Sequence, residues 1–143
     1  MEPDRAVRSF PADTGRIPEV VRFVADRAAV AGLDPEGVKR LELAVEEAVV
    51  NVCHYAYPGE GGVVVVRVAG EPSRLTVEVE DAGRPFDPLS APAPDLAAPI
   101  DERRVGGLGI VLIRRLMDEV RYRRDGDRNL LTMVVKLTGA SAS

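Results

Sequence analysis

Apolar residues recur along the first part of the chain with the spacing of two helices. Over residues 18–31 they stand three or four positions apart, and Gly32 follows as a natural stop. A second helix is expected to begin at Pro35 and to run to about Tyr57, where Pro58 ends it. Apolar residues form one stripe of this helix and also flank its polar face, so we expect it to be buried on both sides.

Five shorter segments have the apolar patterns of strands. They cover residues 7–10, 63–69, 75–81, 120–124 and 130–137. The second contains four consecutive valines, which is typical of a strand covered on both faces, whereas the third alternates apolar and polar residues. The order of these elements predicts an α+β fold, a two-layer α/β sandwich with helices on one face of a mostly antiparallel mixed sheet.

Composition and charge limit the class of protein. The 143 residues fit one domain, 1–143, with a frayed tail at 139–143. Hydrophobic residues make up 45% and charged residues 29%, as in a globular protein. A formal net charge of -4 argues against a general nucleic-acid-binding protein, which would carry a basic surface.

Cysteine content and hydropathy predict the compartment. Cys53 is the only cysteine, so no disulfide can form within the chain and a reducing compartment is expected. The N-terminus has no apolar run of signal-peptide length, and no stretch approaches the roughly 20 apolar residues of a membrane span. We therefore expect a cytoplasmic protein that has no contact with a membrane.

Glu47 and Asn51 stand one helical turn apart in the second predicted helix, which places a carboxylate beside an amide. The amide oxygen of Asn51 suits a Mg²⁺ ion that phosphate and water also bind. Glu47, in partly apolar surroundings, could accept a proton from an attacking hydroxyl. The alternative is an ordinary polar strip on an amphipathic helix. His54 shares this face, where a histidine is more often structural than catalytic.

Asp81 ends the alternating strand on its apolar side, so its carboxylate is expected at the rim of the core. A buried carboxylate without a partner is costly, and the exocyclic amine of adenine would be a suitable partner. Gly83, two residues later, would let the backbone approach a flat base closely. The alternative is a simple Asp-x-Gly turn that closes the strand.

A proline-rich segment and a glycine cluster follow this turn. Five prolines within residues 82–105 exclude a long helix or a central strand, and a loop of this length in a small domain is usually functional or disordered. Gly106, Gly107 and Gly109 then lead into an apolar helix over residues 110–117, whose first N–H groups could bind a phosphate. The alternative is a flexible hinge.

In this order the three motifs resemble the GHKL (Bergerat-fold) ATPase superfamily, and most of all its stand-alone anti-sigma-factor serine kinases. Residues 46–51 (EEAVVN) resemble the N box of that family, residues 81–88 (DAGRPFDP) its first glycine box and residues 106–110 (GGLGI) its second. The resemblance covers residues 5–138, which is nearly the whole chain.

The resemblance implies a role for each matching residue. Glu47 would be the catalytic base, Asn51 the Mg²⁺ ligand, and residues 88–105 the lid over ATP. Arg103 and Arg104 in this lid are candidates for the cation at the terminal phosphate, because the second glycine box has no arginine between its glycines; the alternative is an ordinary exposed basic pair. The residues that the resemblance assigns to ATP are Asn51, Asp81, Gly83, Phe86, Gly106, Gly107, Leu108, Gly109, Ile110 and Thr132.

The resemblance also implies a function, with ATP and Mg²⁺ as cofactors. The chain would be a homodimeric anti-sigma factor that phosphorylates a serine of an anti-anti-sigma protein of the STAS type and sequesters a sigma factor or similar regulator. One alternative is a non-catalytic ATP-binding module that only sequesters a partner. Histidine kinases fit less well, because His54 lies inside the N box, and so do ATP-driven clamps, whose lysine belongs to a second domain, because the only lysines are Lys39 and Lys136.

Overall fold

The computed structural model describes residues 4–57, 61–85 and 107–137, and helices pack on one face of a sheet in this part of the chain. The predicted α+β class, a two-layer α/β sandwich, is therefore confirmed. A short 3-10 turn, Thr14–Arg16, precedes the first helix. In chain order the elements are β1 (Asp4–Pro11), α1 (Ile17–Val30), α2 (Pro35–Asn51), β2 (Val63–Gly70), β3 (Arg74–Asp81), α3 (Gly107–Leu116), β4 (Glu119–Asp125) and β5 (Arg128–Lys136).

The strand β3 lies at the centre of the sheet. The order across the sheet is β1-β2-β3-β5-β4, and all four of these neighbouring pairs are antiparallel. On the side that faces the helices, Val79 of β3 pairs with Val66 of β2 and with Leu131 of β5. At the end of β3, Asp81 pairs with Asn129 of β5. Side chains alternate between the two faces, so Asp81 and Asn129 lie on the same side as Val79 and Leu131.

The strand β2 alternates between a buried face and a partly exposed one. Val64, Val66 and Val68 are at most 3% exposed, whereas Val63 is 52% exposed. The prediction that this strand is covered on both faces is therefore wrong. Four consecutive valines include no polar residue that would mark an exposed face of the strand, and the described helices cover only one face of the sheet.

The helices supply one apolar stripe each to the core. Gly32 ends α1 as predicted, because its φ of 101° lies in the left-handed region that favours glycine. The helical spacing of the apolar positions explains why the stripes are continuous. The buried residues are Ile17, Val20, Val24 and Ala28 in α1, Leu41, Ala44, Val45, Ala48 and Val49 in α2, and Ile113 and Met117 in and after α3.

The second helix differs from its prediction in two ways. It is α-helical over Pro35–Asn51, and Val52–Ala56 then form a π-helical turn instead of continuing the α-helix. Such turns are rare and are often found at functional sites. In addition, Leu43 is 47% exposed, so the helix is not buried on both sides as expected. The apolar residues that flank the polar face of this helix are therefore not all buried.

The sheet face opposite to the described helices carries an ion-pair network around Glu80. Glu80 is 6% exposed, and its carboxylate accepts hydrogen bonds from Arg67 Nη1, at 2.8 Å, and from Arg128 Nη1. Arg67 Nη1 also donates to Glu78 Oε1 at 3.1 Å. Burial alone would raise the pKa of Glu80, but the hydrogen bonds and charges of the two arginines bring that pKa below its ordinary value.

Three further predictions concern the thiol, the membrane and the lid. Cys53 is a free, half-buried thiol in the π-helical turn, and burial raises its pKa. Among the helices described, none combines the length and the apolar character that a membrane span requires. The predicted lid, residues 88–105, and the predicted tail, residues 139–143, lie outside the described residues.

Candidate nucleotide-binding site

A pocket opens between the C-terminal end of α2 and the helix-facing side of the sheet. It encloses about 320 Å³ of unfilled space, including the part that is open to solvent. Apolar walls with a few polar side chains are the usual make-up of a small-molecule site. The residues that line the pocket are Ala48, Asn51, Val52, Val79, Asp81, Tyr122, Asn129 and Leu131.

Asp81 is the buried carboxylate that was predicted at the rim of the core. It is 4% exposed, and its Oδ1 accepts hydrogen bonds from Asn129 Nδ2 at 2.8 Å and from Gly83 N at 2.9 Å. Both donors bind Oδ1, so within the described part of the chain nothing donates to Oδ2. Burial raises the pKa of Asp81, and Asn129, Gly83 and Arg124 offset this only in part. The second oxygen can therefore accept a hydrogen bond from a ligand.

The turn after Asp81 packs directly on the π-helical turn. A Cβ on Gly83 would lie 2.4 Å from the carbonyl oxygen of Ala56, so a side chain has no room there. The backbone N–H of Arg84 donates to that same oxygen at 3.1 Å, and Arg84 Nε donates to the carbonyl of Tyr55 at 2.9 Å. The close approach at Gly83 is thus made to the protein's own backbone. An approach of Gly83 to a base stays a prediction.

Asn51 and Glu47 lie one turn apart on α2 but differ in burial. Asn51 is 6% exposed and lines the pocket, and its Nδ2 has no hydrogen-bond partner among the residues described. Glu47 is half-buried, and its pKa is raised by burial and further by the charge of Glu46. His54 is exposed and does not line the pocket.

Asn51 has the chemistry that a hydrated Mg²⁺ ion needs from a protein. A buried amide group without a partner is unfavourable until a ligand supplies one. Rotation of this amide by half a turn presents its oxygen, which Mg²⁺ accepts beside phosphate oxygens and water. Within the described ranges, no group of three or more His, Cys, Asp or Glu side chains could hold a metal. Asn51 fits a metal ion that a phosphate ligand brings with it.

The glycine cluster opens the helix α3. This helix begins at Gly107, three residues earlier than predicted, so residues 107–110 form its first turn rather than a loop ahead of it. The N–H groups of a first turn have no partner within the helix and carry the positive end of its dipole. Gly106 and Phe86 lie outside the described residues, and their roles stay predictions.

Thr132 is not part of the pocket. In the register of β3 and β5 it pairs with Glu78, on the face opposite to the described helices, and its Oγ1 lies 3.5 Å from Glu78 Oε2. The residues of β5 that line the pocket are Asn129 and Leu131. The prediction that Thr132 lies near the adenine is therefore corrected, because neighbouring residues of a strand point to opposite faces.

Comparison with known proteins places this chain in a family. Residues 10–135 match the family described as the histidine kinase-like ATPase domain. The chain belongs to this ATPase family. The matched residues include α2, β3 and α3, which carry the three motifs, so the predicted GHKL resemblance is confirmed.

Several curated relatives within this ATPase family are bacterial serine-protein kinases. The chain is 34% identical over 103 residues to the serine-protein kinase RsbW of Listeria monocytogenes, an alignment that covers 68% of this chain and 66% of the relative. It is 30% identical over 128 residues to RsbW of Halalkalibacterium halodurans, with 87% and 78% covered. The serine/threonine-protein kinase BtrW of Bordetella bronchiseptica is 30% identical over 94 residues, with 65% and 66% covered. The chain thus spans just under two thirds of the Listeria and Bordetella relatives.

In and beside the pocket lie side chains that sequence reasoning missed. Asn129 Oδ1 accepts hydrogen bonds from Tyr122 OH at 2.5 Å and from Arg124 Nη1 at 3.2 Å. Arg124 Nη1 also donates to the carbonyl of Gly83 at 2.9 Å. The sequence signal that could have found these residues is their position: Tyr122 and Arg124 stand two apart in a predicted strand and so share a face. Their hydrogen bonds to Asn129 depend on the register of β4 and β5, which the pattern alone did not give.

Proposed function

We propose that this chain is an ATP-dependent protein-serine kinase of the anti-sigma-factor type. The observation that carries the proposal is one pocket that brings together the buried carboxylate of Asp81 and the buried amide of Asn51. Relatives of the chain are serine-protein kinases, which supports the same function. One ATP molecule would use both groups: the carboxylate suits the amine of its purine, and the amide suits a metal ion bound to its phosphates.

Asp81 would recognise the adenine. Its Oδ2 would accept a hydrogen bond from the exocyclic amine, while Oδ1 is already held by Asn129 and Gly83. Apolar pocket residues such as Val79 and Leu131 would pack against the flat faces of the base. Guanine presents a carbonyl oxygen where adenine presents the amine, so an ionised carboxylate would disfavour GTP. Phe86 stays our further candidate for contact with the nucleotide.

The phosphates would lie toward Asn51 and the start of α3. Asn51 would hold Mg²⁺ together with phosphate oxygens and water. Bound Mg²⁺ supplies positive charge that stabilises the phosphates during transfer. Gly106 and the first-turn N–H groups of residues 107–110 would donate hydrogen bonds to phosphate oxygens. Arg103 or Arg104, in the proposed lid over residues 88–105, would provide the cation at the terminal phosphate.

Glu47 would act as the general base of the transfer. The serine oxygen of the partner would attack the γ-phosphorus of ATP, the bond from that phosphorus to the β–γ bridging oxygen would break, and ADP would leave. The serine hydroxyl proton would pass to the Glu47 carboxylate. Burial raises the pKa of this group, which makes it a better proton acceptor than an exposed carboxylate.

The partner that supplies the serine would be an anti-anti-sigma protein of the STAS type. Phosphorylation would add about two negative charges to the contact surface and would disrupt the complex by repulsion and desolvation. The released kinase would then sequester a sigma factor or similar regulator. We expect no direct contact with nucleic acid, because the formal net charge of the chain is -4.

A homodimer in the cytoplasm is the expected state of the protein. Val7 on β1 is 61% exposed and Val30 at the end of α1 is 70% exposed, which supports an interface that involves these elements. β1 is also an edge strand of the sheet. Sedimentation equilibrium of the purified protein tests this proposal, and a monomer at all concentrations up to about 100 μM would contradict it.

Phosphate transfer to a partner is the experiment that tests the kinase function. The protein is mixed with labelled Mg·ATP and a STAS-type protein encoded near it in the genome, and phosphoserine is measured by mass spectrometry. We expect transfer at about pH 8 by wild type and by the control Glu46→Gln, which keeps Glu47. Glu47→Ala should lower the rate by about 100-fold or more.

Two outcomes of this experiment would contradict the kinase function. Unchanged transfer by Glu47→Ala would remove Glu47 as the base. Binding of ATP without transfer to the correct partner would instead favour a non-catalytic module that only sequesters its partner. Titration of ATP with and without Mg²⁺ completes the comparison, because a catalytic site should need the metal whereas a sequestering module need not.

A further inference from the structure

Within the described part of the chain, at least four hydrogen bonds hold the side chain of Asn129 behind the pocket. Its Nδ2 donates to Asp81 Oδ1 at 2.8 Å and to the carbonyl of Arg84 at 2.9 Å. Its Oδ1 accepts from Tyr122 OH at 2.5 Å and from Arg124 Nη1 at 3.2 Å. The side chain is buried, with 4% of its surface exposed. Both N–H donors of the amide nitrogen and both lone pairs of the amide oxygen are thus used by protein groups.

These partners require an amide at this position. Two donors, from Tyr122 and Arg124, face the oxygen, and two acceptors, from Asp81 and Arg84, face the nitrogen. A carboxylate would have no protons for the two acceptors, and a single hydroxyl has only one. The neighbouring strand β4, which carries Tyr122 and Arg124, therefore fixes the amide of Asn129 in one orientation.

The fixed amide in turn restrains the Asp81 carboxylate. Asn129 Nδ2 and Gly83 N both bind Oδ1, from the neighbouring strand β5 and from the following turn. Two donors on one oxygen prevent the carboxyl group from rotating. The pocket is lined by Asp81, Asn129 and Tyr122 together, so the orientation of this carboxylate decides what the pocket offers to a base.

We propose that Asn129, itself held by Tyr122 and Arg124, is a positioning residue that fixes the Asp81 carboxylate with Oδ2 presented to the amine of a purine. This inference rests on the proposed function, because it assumes that the pocket takes a nucleotide. Asn129 would act through Asp81 and need not touch the purine. It would set the preference for a 6-amino over a 6-oxo purine.

The charges around Asp81 support the same role. Burial is the largest influence on the pKa of Asp81, and it raises that pKa. The hydrogen bonds from Asn129 and Gly83 and the charge of Arg124 lower the pKa, whereas the charge of Glu80 raises it. Since Oδ1 already accepts two bonds, protonation would place the proton on Oδ2, the oxygen that is proposed to accept from the amine. Loss of the Asn129 bond should therefore enlarge the protonated fraction of Asp81 and weaken ATP binding more at low pH than at high pH.

Asn129→Asp is the variant that tests the proposal. It keeps the size of the side chain and an oxygen for Tyr122 and Arg124, but it removes the donor to Asp81 and adds a second carboxylate. Tyr122→Phe is a milder second variant, since it removes only the hydroxyl that holds the amide. Arg123→Gln is the matched control, because Arg123 is an exposed residue between Tyr122 and Arg124 on β4.

Two measurements are made on each folded variant. The first is the pKa of Asp81 without nucleotide, from the carbonyl carbon shifts of labelled aspartates, and the second is the Kd for Mg·ATP and Mg·GTP from pH about 5.5 to about 8. Asn129→Asp should raise the pKa of Asp81, weaken ATP binding by about 10-fold or more and lower the preference for ATP over GTP. Tyr122→Phe should shift each quantity less and in the same direction, and Arg123→Gln should match wild type.

The outcomes separate this proposal from the proposed function. An unchanged Asp81 pKa in folded Asn129→Asp and Tyr122→Phe would overturn the positioning role. So would an equal loss of ATP and GTP binding at every pH, which is what general destabilisation would cause. A wild-type protein that binds no nucleotide would overturn the proposed function and the presentation to a purine, although the pKa measurement would still report whether Asn129 restrains Asp81. If Asn129→Asp does not fold, Tyr122→Phe alone decides.

Discussion

Replacement of Gly83 by alanine should damage both the fold and the pocket. The new Cβ would lie 2.4 Å from the carbonyl oxygen of Ala56 and 2.7 Å from its carbonyl carbon. These atoms belong to the backbone of the π-helical turn, so neither can move aside by a change of rotamer. Gly83 also donates to Asp81 and accepts from Arg124, at 2.9 Å in both cases, so a shift of the turn disturbs both bonds.

The size of the effect follows from the missing space. Extra methyl groups in a packed interior usually cost about 1–3 kcal/mol, and contact with rigid backbone places Gly83→Ala toward the upper end, at about 2–3 kcal/mol. Alanine also restricts the unfolded chain and so stabilises by about 0.4–1 kcal/mol. This second effect is common to any glycine-to-alanine change. Comparison with the same substitution at another glycine therefore cancels it.

Gly61→Ala is the matched control. A Cβ at Gly61 would have no heavy atom within 4 Å, and no positive φ requires glycine there. Urea denaturation gives the free energy of unfolding of both variants, and calorimetric titration gives the Kd for Mg·ATP. We expect Gly83→Ala to be less stable than Gly61→Ala by about 2–3 kcal/mol and to bind ATP about 10-fold more weakly.

Equal stability of the two alanine variants would refute the steric reasoning. It would mean that the turn after Asp81 can move away from Ala56 at no cost. If Gly83→Ala were destabilised but bound ATP normally, the contact would be structural and the turn would have no part in the site.

Three further substitutions test other contacts. Tyr57→Phe removes a hydroxyl that accepts from Ala82 N at 2.7 Å and donates to the first carbonyl of β2 at 3.0 Å, so urea denaturation should show a loss of about 1–2 kcal/mol. Glu80→Gln removes a carboxylate whose folded pKa is lowered, so its stability deficit against wild type should be present above about pH 4.5 and should close as pH falls through the folded pKa. Glu46→Gln removes the smaller of the two causes that raise the pKa of Glu47, so the rising limb of the transfer rate against pH should move to lower pH.

Each of these predictions has a result that contradicts it. Tyr57→Phe with wild-type stability would show that water replaces both bonds of the hydroxyl. A stability deficit of Glu80→Gln that stays constant over the whole acid range in which the protein is folded would show that ionisation of Glu80 does not matter. An unmoved pH profile in Glu46→Gln, with transfer intact, would remove the coupling between Glu46 and Glu47.

The fold was predictable where one face of an element is polar. Strict alternation in β3 placed Asp81 on the core side, and the structure buries it there with 4% of its surface exposed. The helical stripe of α2 was equally clear. The pattern failed in β2, where Val63 and Val65 are as apolar as Val64 although only one face of the strand is buried. Periodicity cannot report a face when both faces carry the same residue type.

The polar contacts behind the pocket were harder to predict because they depend on strand register. Asp81 and Asn129 are 48 residues apart and meet only because β3 pairs with β5 in one alignment. In β5, Leu130 and Leu131 are both buried, on opposite faces, so the strand gave no clear alternation. Thr132 was assigned to the pocket by resemblance, yet its even position places it with Leu130 on the other face.

The π-helical turn was also beyond the sequence pattern. Residues 52–56 contain neither glycine nor proline, and their apolar spacing suits an α-helix. The structure widens the helix there, and the carbonyl of Ala56 then meets Arg84 N at 3.1 Å. This contact between α2 and the turn after β3 is a tertiary effect, so local propensity alone could not have predicted it.

Calorimetric titration with Mg·ATP tests most directly whether this pocket holds an adenine nucleotide against Asp81. Wild type should bind one ATP per chain and bind GTP more weakly, and folded Asp81→Ala should lose about 10- to 100-fold in affinity for ATP. Wild type that gives no heat with adenine nucleotides in the presence of magnesium, or Asp81→Ala that binds ATP as tightly as wild type, would contradict the account.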